Sequence, residues 1–206
     1  GRKIMNKNWR IVHPDDYFHH PYSQTWLSER EIEIEIARRW IDANSQDLIE
    51  VGAVMPYYAD IKHEVIDPYD PKATIADFVE NHDLTMMRVL SISTMEHIGT
   101  TDYVELERQN VVDENAAIFA LNKLLDECDE CLVSIPIGYN PYLDKWLEAN
   151  LDKLNCFGYE KVMWFPKQDG TKSLWNYYHS VSTIKGKNYN QPFPLANFVL
   201  FIEGWK

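Results

Sequence analysis

The fold is decided by the stretch Asp47-Leu48-Ile49-Glu50-Val51-Gly52, a short apolar run that ends at a glycine. A run of this length between turn-forming residues is typical of a buried strand. The next such run, His63-Glu64-Val65-Ile66-Asp67, ends at an acid and is followed by a proline. We therefore predict two strands whose carboxyl ends carry a glycine and an aspartate.

Strands and helices alternate further along the chain. Residues 72–77 form a weak third strand candidate, and residues 88–93 and 131–136 form stronger ones. Amphipathic spacing predicts helices over residues 113–127 and 140–154. Apolar strands that alternate with helices indicate parallel pairing through right-handed crossovers.

The carboxyl-terminal part of the chain has a different pattern. Residues 160–165 and 197–202 are strand candidates, and no obvious helix separates them. Strands joined without a crossover helix favour antiparallel pairing, here as a pair at the sheet edge. We predict an α/β fold with a doubly wound, mostly parallel sheet and an antiparallel C-terminal strand pair. No linker-like composition divides residues 28–206, so we predict a single domain there.

The segment that opens this domain gives two conflicting signals. Ser28-Glu29-Arg30-Glu31 has the hydroxyl and the carboxylate of a capping box, which marks a helix start. The alternation in residues 31–36 is instead typical of a strand. Ile36 and Trp40 continue the apolar pattern at helical spacing, so we predict a helix that ends near Ala43.

Residues 1–27 show no clear periodicity, but they are rich in aromatic side chains. We predict that they form an arm or lid over a site in the domain, with Tyr17, Phe18, Tyr22 and Trp26 covering that site. The basic start of this segment lacks the apolar core of a signal peptide, which favours a cytoplasmic protein.

Composition narrows the class of protein. The 206 residues carry 32 acidic and 20 basic side chains, a net charge of −12, which disfavours a nucleic-acid partner because phosphate binding needs a basic surface. The apolar fraction of 45% excludes a disordered acidic tail. The 3 cysteines make neither a disulfide framework nor a zinc site, and we predict no metal. No stretch reaches the roughly 20 apolar residues of a membrane span. A homodimer, or a place in a larger protein, stays open.

Residues at the carboxyl ends of the strands are suited to bind an adenosine. In doubly wound sheets, ligands bind at these ends, at the point where the strand order reverses. Gly52 allows a ligand close to the backbone, because it has no Cβ. Asp67 can accept hydrogen bonds from ribose hydroxyls, and Asp77 can accept one from the adenine amine.

The pair Glu96-His97, which follows the fourth strand, adds candidates for proton transfer. Histidine titrates near neutral pH, which suits removal of a proton from a hydroxyl group. The alternative for His97 is a structural hydrogen bond to the backbone at the start of a helix.

These residues resemble motifs of the class I S-adenosylmethionine-dependent methyltransferases, a family with a Rossmann-like fold. Glu50-Val51-Gly52-Ala53 is similar to the family's first motif, with one glycine where the family has two or three. Residues 91–99 resemble the strand-then-Glu-His segment of many members. Residues 136–141 resemble a loop of a smaller subgroup associated with bacterial surface-glycan gene clusters and phages. The resemblance covers roughly residues 45–205.

The resemblance implies an enzyme that uses S-adenosylmethionine as its cofactor. It implies in-line transfer of a methyl group to oxygen, or to nitrogen, of a small molecule or glycan, with His97 and Glu96 as the catalytic residues. The residues implied to contact the cofactor are Glu50, Gly52, Ala53, Asp67, Pro68, Asp77, Phe78, Ser93 and Thr94. Those implied to contact the acceptor are Tyr139, Asn140 and Tyr142.

Two other functions stay open on the sequence alone. The single glycine of the first motif also suits a methyltransferase-like module that binds without catalysis. The strand-end residues also suit a different nucleotide- or NAD-using α/β enzyme. Binding without turnover would indicate the first, and a preference for NAD would indicate the second.

Overall fold

The computed structural model describes residues 7–101, 112–164 and 173–206, which form one sheet flanked by helices. The strands are β1 (Leu48–Val51), β2 (Glu64–Ile66), β3 (Arg88–Ile92), β4 (Glu130–Pro136), β5 (Asn155–Met163), β6 (Leu174–Tyr178) and β7 (Phe198–Trp205). The α-helices are α1 (Arg30–Ala43), α2 (Ala116–Glu127) and α3 (Pro141–Asn150). No helix in these ranges is long and apolar enough to cross a membrane.

The sheet has the strand order β2-β1-β3-β4-β7-β5-β6. Strands β2, β1, β3 and β4 pair in parallel, whereas β7 pairs antiparallel with both β4 and β5, and β6 pairs antiparallel with β5. The predicted α/β class and the antiparallel pairing of residues near the C-terminus are confirmed.

Two details of the predicted sheet are wrong. Strand β7 lies inside the sheet rather than at its edge, and β6 is an additional antiparallel strand, so the sheet is mixed rather than mostly parallel. The reason lies in β7 itself, because residues 198–202 are all buried. A strand without an exposed face or edge needs a neighbour on each side as well as cover above and below.

The weak third strand is also absent. Within residues 72–77 only Ile75 forms a β-bridge, parallel to Ile66. The Thr74 hydroxyl accepts the Val65 N–H at 2.8 Å, a bond that a carbonyl of a regular neighbouring strand would otherwise make. A side chain therefore replaces part of the ladder, and β2 remains the last full strand on this side.

Helix α1 confirms the predicted helix, including its end at Ala43. The alternating segment is buried on nearly every side, with Ile32, Ile34 and Glu33 all fully inaccessible to solvent. A helix that is covered all round does not need a single apolar stripe, which explains the misleading alternation. The capping box is not formed, because the Glu31 carboxylate accepts a hydrogen bond from Trp175 Nε1 at 2.7 Å instead.

Apolar layers cover both faces of the sheet, which confirms the doubly wound arrangement. Helices α2 and α3 pack on one face, and α1 packs on the other together with part of the N-terminal segment. Val12 and Tyr17 are buried in that second layer. The Tyr159 hydroxyl donates to the Arg10 carbonyl at 2.6 Å and accepts the Val12 N–H at 2.8 Å. These bonds fix the N-terminal segment to the sheet.

Candidate functional site

The carboxyl ends of β1 and β3 meet where the strand order reverses, because the chain goes from β1 out to β2 and returns across β1 to β3. Gly52 follows β1 with a φ of +86°, a backbone conformation that favours glycine. A Cβ at this position would overlap the side chain of Thr94. The space that we expected a ligand to use beside Gly52 is therefore occupied by Thr94.

An apolar cleft opens at this point. Tyr69 and Phe78 lie in its wall with perpendicular rings, and their ring centroids are 6.0 Å apart. Both side chains are exposed, so their rings are accessible to a flat heterocyclic base. We call this space the apolar cleft; its walls are Val51, Gly52, Ile66, Asp67, Pro68, Tyr69, Phe78, Val79, Glu80, Thr94, His97, Ile98, Gly99 and Thr100.

A polar cleft adjoins the apolar one. Helix α1 contributes Arg30 to it, and the N-terminal segment contributes Tyr22. Asp67, Thr94 and His97 line both clefts, so one ligand can span the two. We call this space the polar cleft; its walls are Tyr22, Ser23, Arg30, Ala53, Val54, Tyr57, Tyr58, Asp67, Asp70, Ser93, Thr94 and His97.

Asp67 joins the loops that follow β1 and β2. Its Oδ2 accepts the Ala53 N–H at 3.1 Å, and its Oδ1 accepts the N–H groups of Tyr69 and Asp70 at 2.9 Å each. A carboxylate offers about four acceptor positions, so these bonds leave roughly one for a ligand. The structure thus brings Asp67 to the boundary of the two clefts with limited remaining capacity.

Glu50 lies beneath the loop after β1 and is fully buried. Its Oε1 accepts the N–H groups of Val54 and Met55 at 3.0 and 2.8 Å, and its Oε2 lies 3.0 Å from His63 Nε2. Glu50 lines neither cleft, contrary to the contact that the resemblance implied. It instead fixes the short 3-10 turn Met55–Tyr57.

Arg30 carries a positive charge into the polar cleft. Its Nη1 pairs with Glu33 Oε2, and Glu33 Oε1 accepts the hydroxyls of Ser93 and Ser134 at 2.7 Å each. Burial alone would lower the pKa of Arg30, but the carboxylates of Glu33 and Glu29 outweigh it and raise that pKa above its usual value. A charged guanidinium at the wall of a cleft is suited to bind a carboxylate.

Ser93 directly follows β3 and lies in the left-handed backbone region, with a φ of 40°. Such a conformation costs about 1–3 kcal/mol for a residue other than glycine. Its N–H donates to the Ser134 carbonyl at 3.1 Å, and its hydroxyl bond to Glu33 holds the side chain. This turn directs Thr94 between the clefts, and both residues line the polar cleft as the predicted cofactor contacts would.

His97 and Glu96 lie together beside the clefts. Glu96 is 2% exposed, and its Oε1 is 3.5 Å from His97 Nε2. Burial raises the pKa of Glu96 well above its usual range, and the nearby Glu33 raises it further, so this carboxyl keeps its proton to a higher pH than usual. The Tyr139 ring lies against His97 with centroids 4.6 Å apart and contacts Tyr189 on its other side.

The other two predicted acceptor residues are placed less favourably. Asn140 is 2% exposed; its Oδ1 accepts the N–H groups of Tyr142 and Leu143 at 3.2 Å, and its Nδ2 donates to the Glu96 carbonyl at 3.3 Å. These bonds cap α3 and fix the loop to the residue before His97. The Tyr142 side chain is exposed, and a hydrogen bond to Glu114 raises its pKa. Neither residue lines the two clefts.

Three residues near β2 that were predicted to contact the cofactor lie in different places. Pro68 and Phe78 line the apolar cleft. Asp77 does not line it, because its carboxylate accepts the Phe78 N–H at 2.7 Å and the Asn81 side-chain N–H at 2.8 Å, and lies 3.3 Å from His82 Nε2. Ala53 contributes to the polar cleft.

Sequence reasoning missed Arg30, Tyr57 and Tyr58, which all line the polar cleft. The signal was present in the acids that alternate with isoleucines in α1. Glu31 and Glu33 are fully buried, and a buried acid requires a basic or hydrogen-bonding partner. No group of three or more His, Cys, Asp or Glu side chains arranged to hold a metal ion is found in the part of the chain that the structure describes.

Comparison with solved structures gives distant similarity. No protein-family profile and no curated sequence matches this chain. Among solved structures, the chain is similar to a protein from Thermotoga maritima described as a "SAM-dependent methyltransferase, possible histamine N-methyltransferase". The two chains are 14% identical, and the match covers 77% of this chain and 82% of the other with a TM-score of 0.39.

Proposed function

We propose that the protein is an S-adenosylmethionine-dependent methyltransferase that acts on a small molecule or a sugar. The observation that carries this proposal is the pair of joined clefts, one apolar and one polar, at the strand-order reversal. S-adenosylmethionine has the same two-part chemistry, because a nucleoside is joined to an α-amino acid. Asp67, Thr94 and His97 line both clefts and mark where the two parts of the ligand would meet.

The apolar cleft suits the nucleoside part. Its exposed Tyr69 and Phe78 rings offer apolar surface to adenine. Asp67 retains about one acceptor position for a ribose hydroxyl. Asp77 does not line this cleft, so the adenine amine would need another acceptor.

The polar cleft suits the amino-acid part. The Arg30 guanidinium can bind a carboxylate through two parallel N–H bonds, which gives both affinity and orientation. Tyr22 stacks on Tyr57 with ring centroids 4.5 Å apart, and both line this cleft. Of the four aromatic residues predicted to cover the site, only Tyr22 lines a cleft, and Tyr17 is buried against the sheet instead. A covering role of the N-terminal segment therefore rests on Tyr22.

His97 is the proposed base of the reaction. When bound, the cofactor supplies a methyl group that is already activated as a sulfonium. The protein then contributes alignment of the acceptor, worth up to about 7–11 kcal/mol in well-oriented reactions, and removal of the acceptor's proton. His97 faces both clefts, and the Tyr139 ring against it would help to exclude water. This chemistry serves an oxygen acceptor, or a nitrogen acceptor that must lose a proton.

An NAD-using enzyme is the weaker alternative, because a pyrophosphate needs free N–H groups at a helix start after β1. Here the Ala53 N–H donates to Asp67, and the N–H groups of Val54 and Met55 donate to Glu50. The turn that follows has only 3 residues. Carboxylates therefore occupy the place where a phosphate would bind.

Thermal unfolding in the presence of ligands tests the proposal. A ligand at 100 times its dissociation constant adds about 2.7 kcal/mol, which raises Tm by roughly 5–10 °C for a chain of this size. We expect this shift with S-adenosylhomocysteine and none with NAD. A shift with NAD alone would contradict the proposal.

Turnover separates an enzyme from a binding module. We expect S-adenosylhomocysteine to form when S-adenosylmethionine is supplied with hydroxylated and aminated small molecules and sugars. Binding of the cofactor without turnover across that panel and a nucleic-acid panel would favour the non-catalytic module.

A further inference from the structure

Glu33 is a buried carboxylate that joins three separate elements at the edge of the polar cleft. It belongs to α1, pairs with Arg30 of the same helix, and accepts hydroxyl bonds from Ser93 after β3 and Ser134 in β4. The Glu33 side chain is fully buried, whereas that of Arg30 is 20% exposed. One end of this ion pair is thus fixed inside the protein, and the other end faces the cleft.

The two serine bonds prevent the Glu33 carboxylate from turning. Both end on Oε1 at 2.7 Å, which leaves Oε2 directed at Arg30 Nη1. A guanidinium is planar and has five N–H donors, so one held donor sets the direction of the others. A cation that is oriented before the ligand arrives loses less side-chain entropy on binding.

Other carboxyl groups also act on Arg30. Glu29 and Glu96 contribute electrostatically and favour the charged form of its guanidinium. Glu33 differs from them because it pairs with Arg30 Nη1 and is itself held by two serine hydroxyls. The pair with Glu33 is therefore the contact that sets the direction of the guanidinium.

We propose that Glu33 is a positioning residue that holds Arg30 ready to bind the carboxylate of the cofactor's amino-acid part. This inference rests on the proposed function, because it requires a ligand with a carboxylate in the polar cleft. The inference also predicts that the affinity for a nucleoside without the amino-acid part does not depend on Glu33.

The test compares two probes in Glu33→Gln by isothermal titration calorimetry. Glutamine keeps the size of the side chain and a carbonyl acceptor for both serines, but it loses the charge that pairs with Arg30. We expect the affinity for S-adenosylhomocysteine to fall about tenfold, the loss of roughly one charge-assisted hydrogen bond. The affinity for adenosine, which lacks the amino-acid part, should stay within twofold of the wild-type value.

A double-mutant cycle shows whether Glu33 acts through Arg30. In an Arg30→Ala background, Glu33→Gln should cause no further loss of S-adenosylhomocysteine affinity. Glu33→Asp provides a second variant that keeps the charge but withdraws the carboxylate, and it should show the same selective loss. Glu35→Gln, at another position of α1 that pairs with Arg39, is the matched control and should bind both probes as the wild type does.

The outcomes separate this inference from the proposed function. Unchanged or tighter binding of S-adenosylhomocysteine in Glu33→Gln, with normal wild-type binding, overturns the positioning role alone. Equal losses for both probes also overturn it, because they indicate a general structural role. Failure of the wild type to bind S-adenosylhomocysteine overturns the proposed function and this inference with it.

Discussion

The apolar and polar clefts adjoin each other, but they differ in chemistry and in origin. The apolar cleft is formed by the ends of β1, β2 and β3 and the loops after them. The polar cleft also needs Arg30 from α1 and Tyr22 from the N-terminal segment. Binding in the first should depend on apolar contact area, and binding in the second on charge-assisted hydrogen bonds. Adenosine and S-adenosylhomocysteine differ only in the amino-acid part, so together they report on each cleft separately.

Gly52→Ala should have the largest effect, because it disrupts both clefts. Alanine is strained at a φ of +86°, and its Cβ would overlap Thr94. We expect the free energy of unfolding to fall by about 3 kcal/mol in urea denaturation, with binding of both probes lost. Gly186→Ala is the matched control, because Gly186 has a φ of +74° but nothing within 4 Å of an added Cβ. Its expected loss is about 1 kcal/mol, and equal losses at the two positions would contradict the importance of the Thr94 contact.

Arg30→Ala should affect the polar cleft alone. Removing the guanidinium deletes the proposed partner of the ligand carboxylate and leaves Glu33 without its ion pair. We expect the affinity for S-adenosylhomocysteine to fall about 100-fold in calorimetric titration, and the affinity for adenosine to change less than about twofold. A similar loss for both probes would mean that the clefts do not bind independently.

The free energy of unfolding should fall as pH rises, because Glu31 is a buried acid in the helix that contributes to the polar cleft. Burial raises its pKa from 4.5 to about 7. Below pH 4.5 the carboxyl is protonated in both states; above it the unfolded chain ionises first, so stability is lost up to about pH 7. Glu31→Gln should exceed the wild-type free energy of unfolding by about 3 kcal/mol at pH 7 and match it near pH 4. Urea denaturation between pH 4 and pH 7 measures this difference. The prediction is contradicted if the free energy of unfolding of Glu31→Gln depends on pH as strongly as that of the wild type.

Asp67→Asn should have the smallest effect, and it should be the same for both probes. The substitution keeps the size of the side chain, but its amide would face backbone N–H groups that now donate to the carboxylate. We expect about a tenfold loss of affinity for adenosine and S-adenosylhomocysteine alike. Asp77→Asn is the control and should bind both probes normally. A loss confined to S-adenosylhomocysteine would assign Asp67 to the polar cleft only.

The apolar cleft could largely be predicted from the sequence. Gly52, Asp67 and Thr94 each lie within a few residues of a strand end, and parallel strands bring their carboxyl ends to one edge of the sheet. The local sequence pattern was therefore sufficient to predict that these residues lie close together. It did not reveal that Glu50 is bonded to the backbone, or that Thr94 fills the space beside Gly52, because both depend on where side chains point.

The polar cleft could not be predicted in the same way. Its defining ion pair depends on a bond between Glu33 and Ser134, which are 101 residues apart. Periodicity identified α1 as a helix, but a helix buried on nearly every side gives no indication of which residues meet the sheet. The position of β7 could not be predicted for a related reason, because an apolar run does not specify which strands will pair with it.

Strand β7 leaves the ribosome after β5 and β6, although it must lie between β4 and β5. Until β7 is synthesised, β4 and β5 each lack the neighbour that covers one hydrogen-bonding edge. Open edges of this kind recruit strands from other chains, and partners distant in sequence delay closure of the sheet. A nascent chain halted before residue 198 would therefore be prone to aggregate, and chaperone contact during translation should concentrate on that interval.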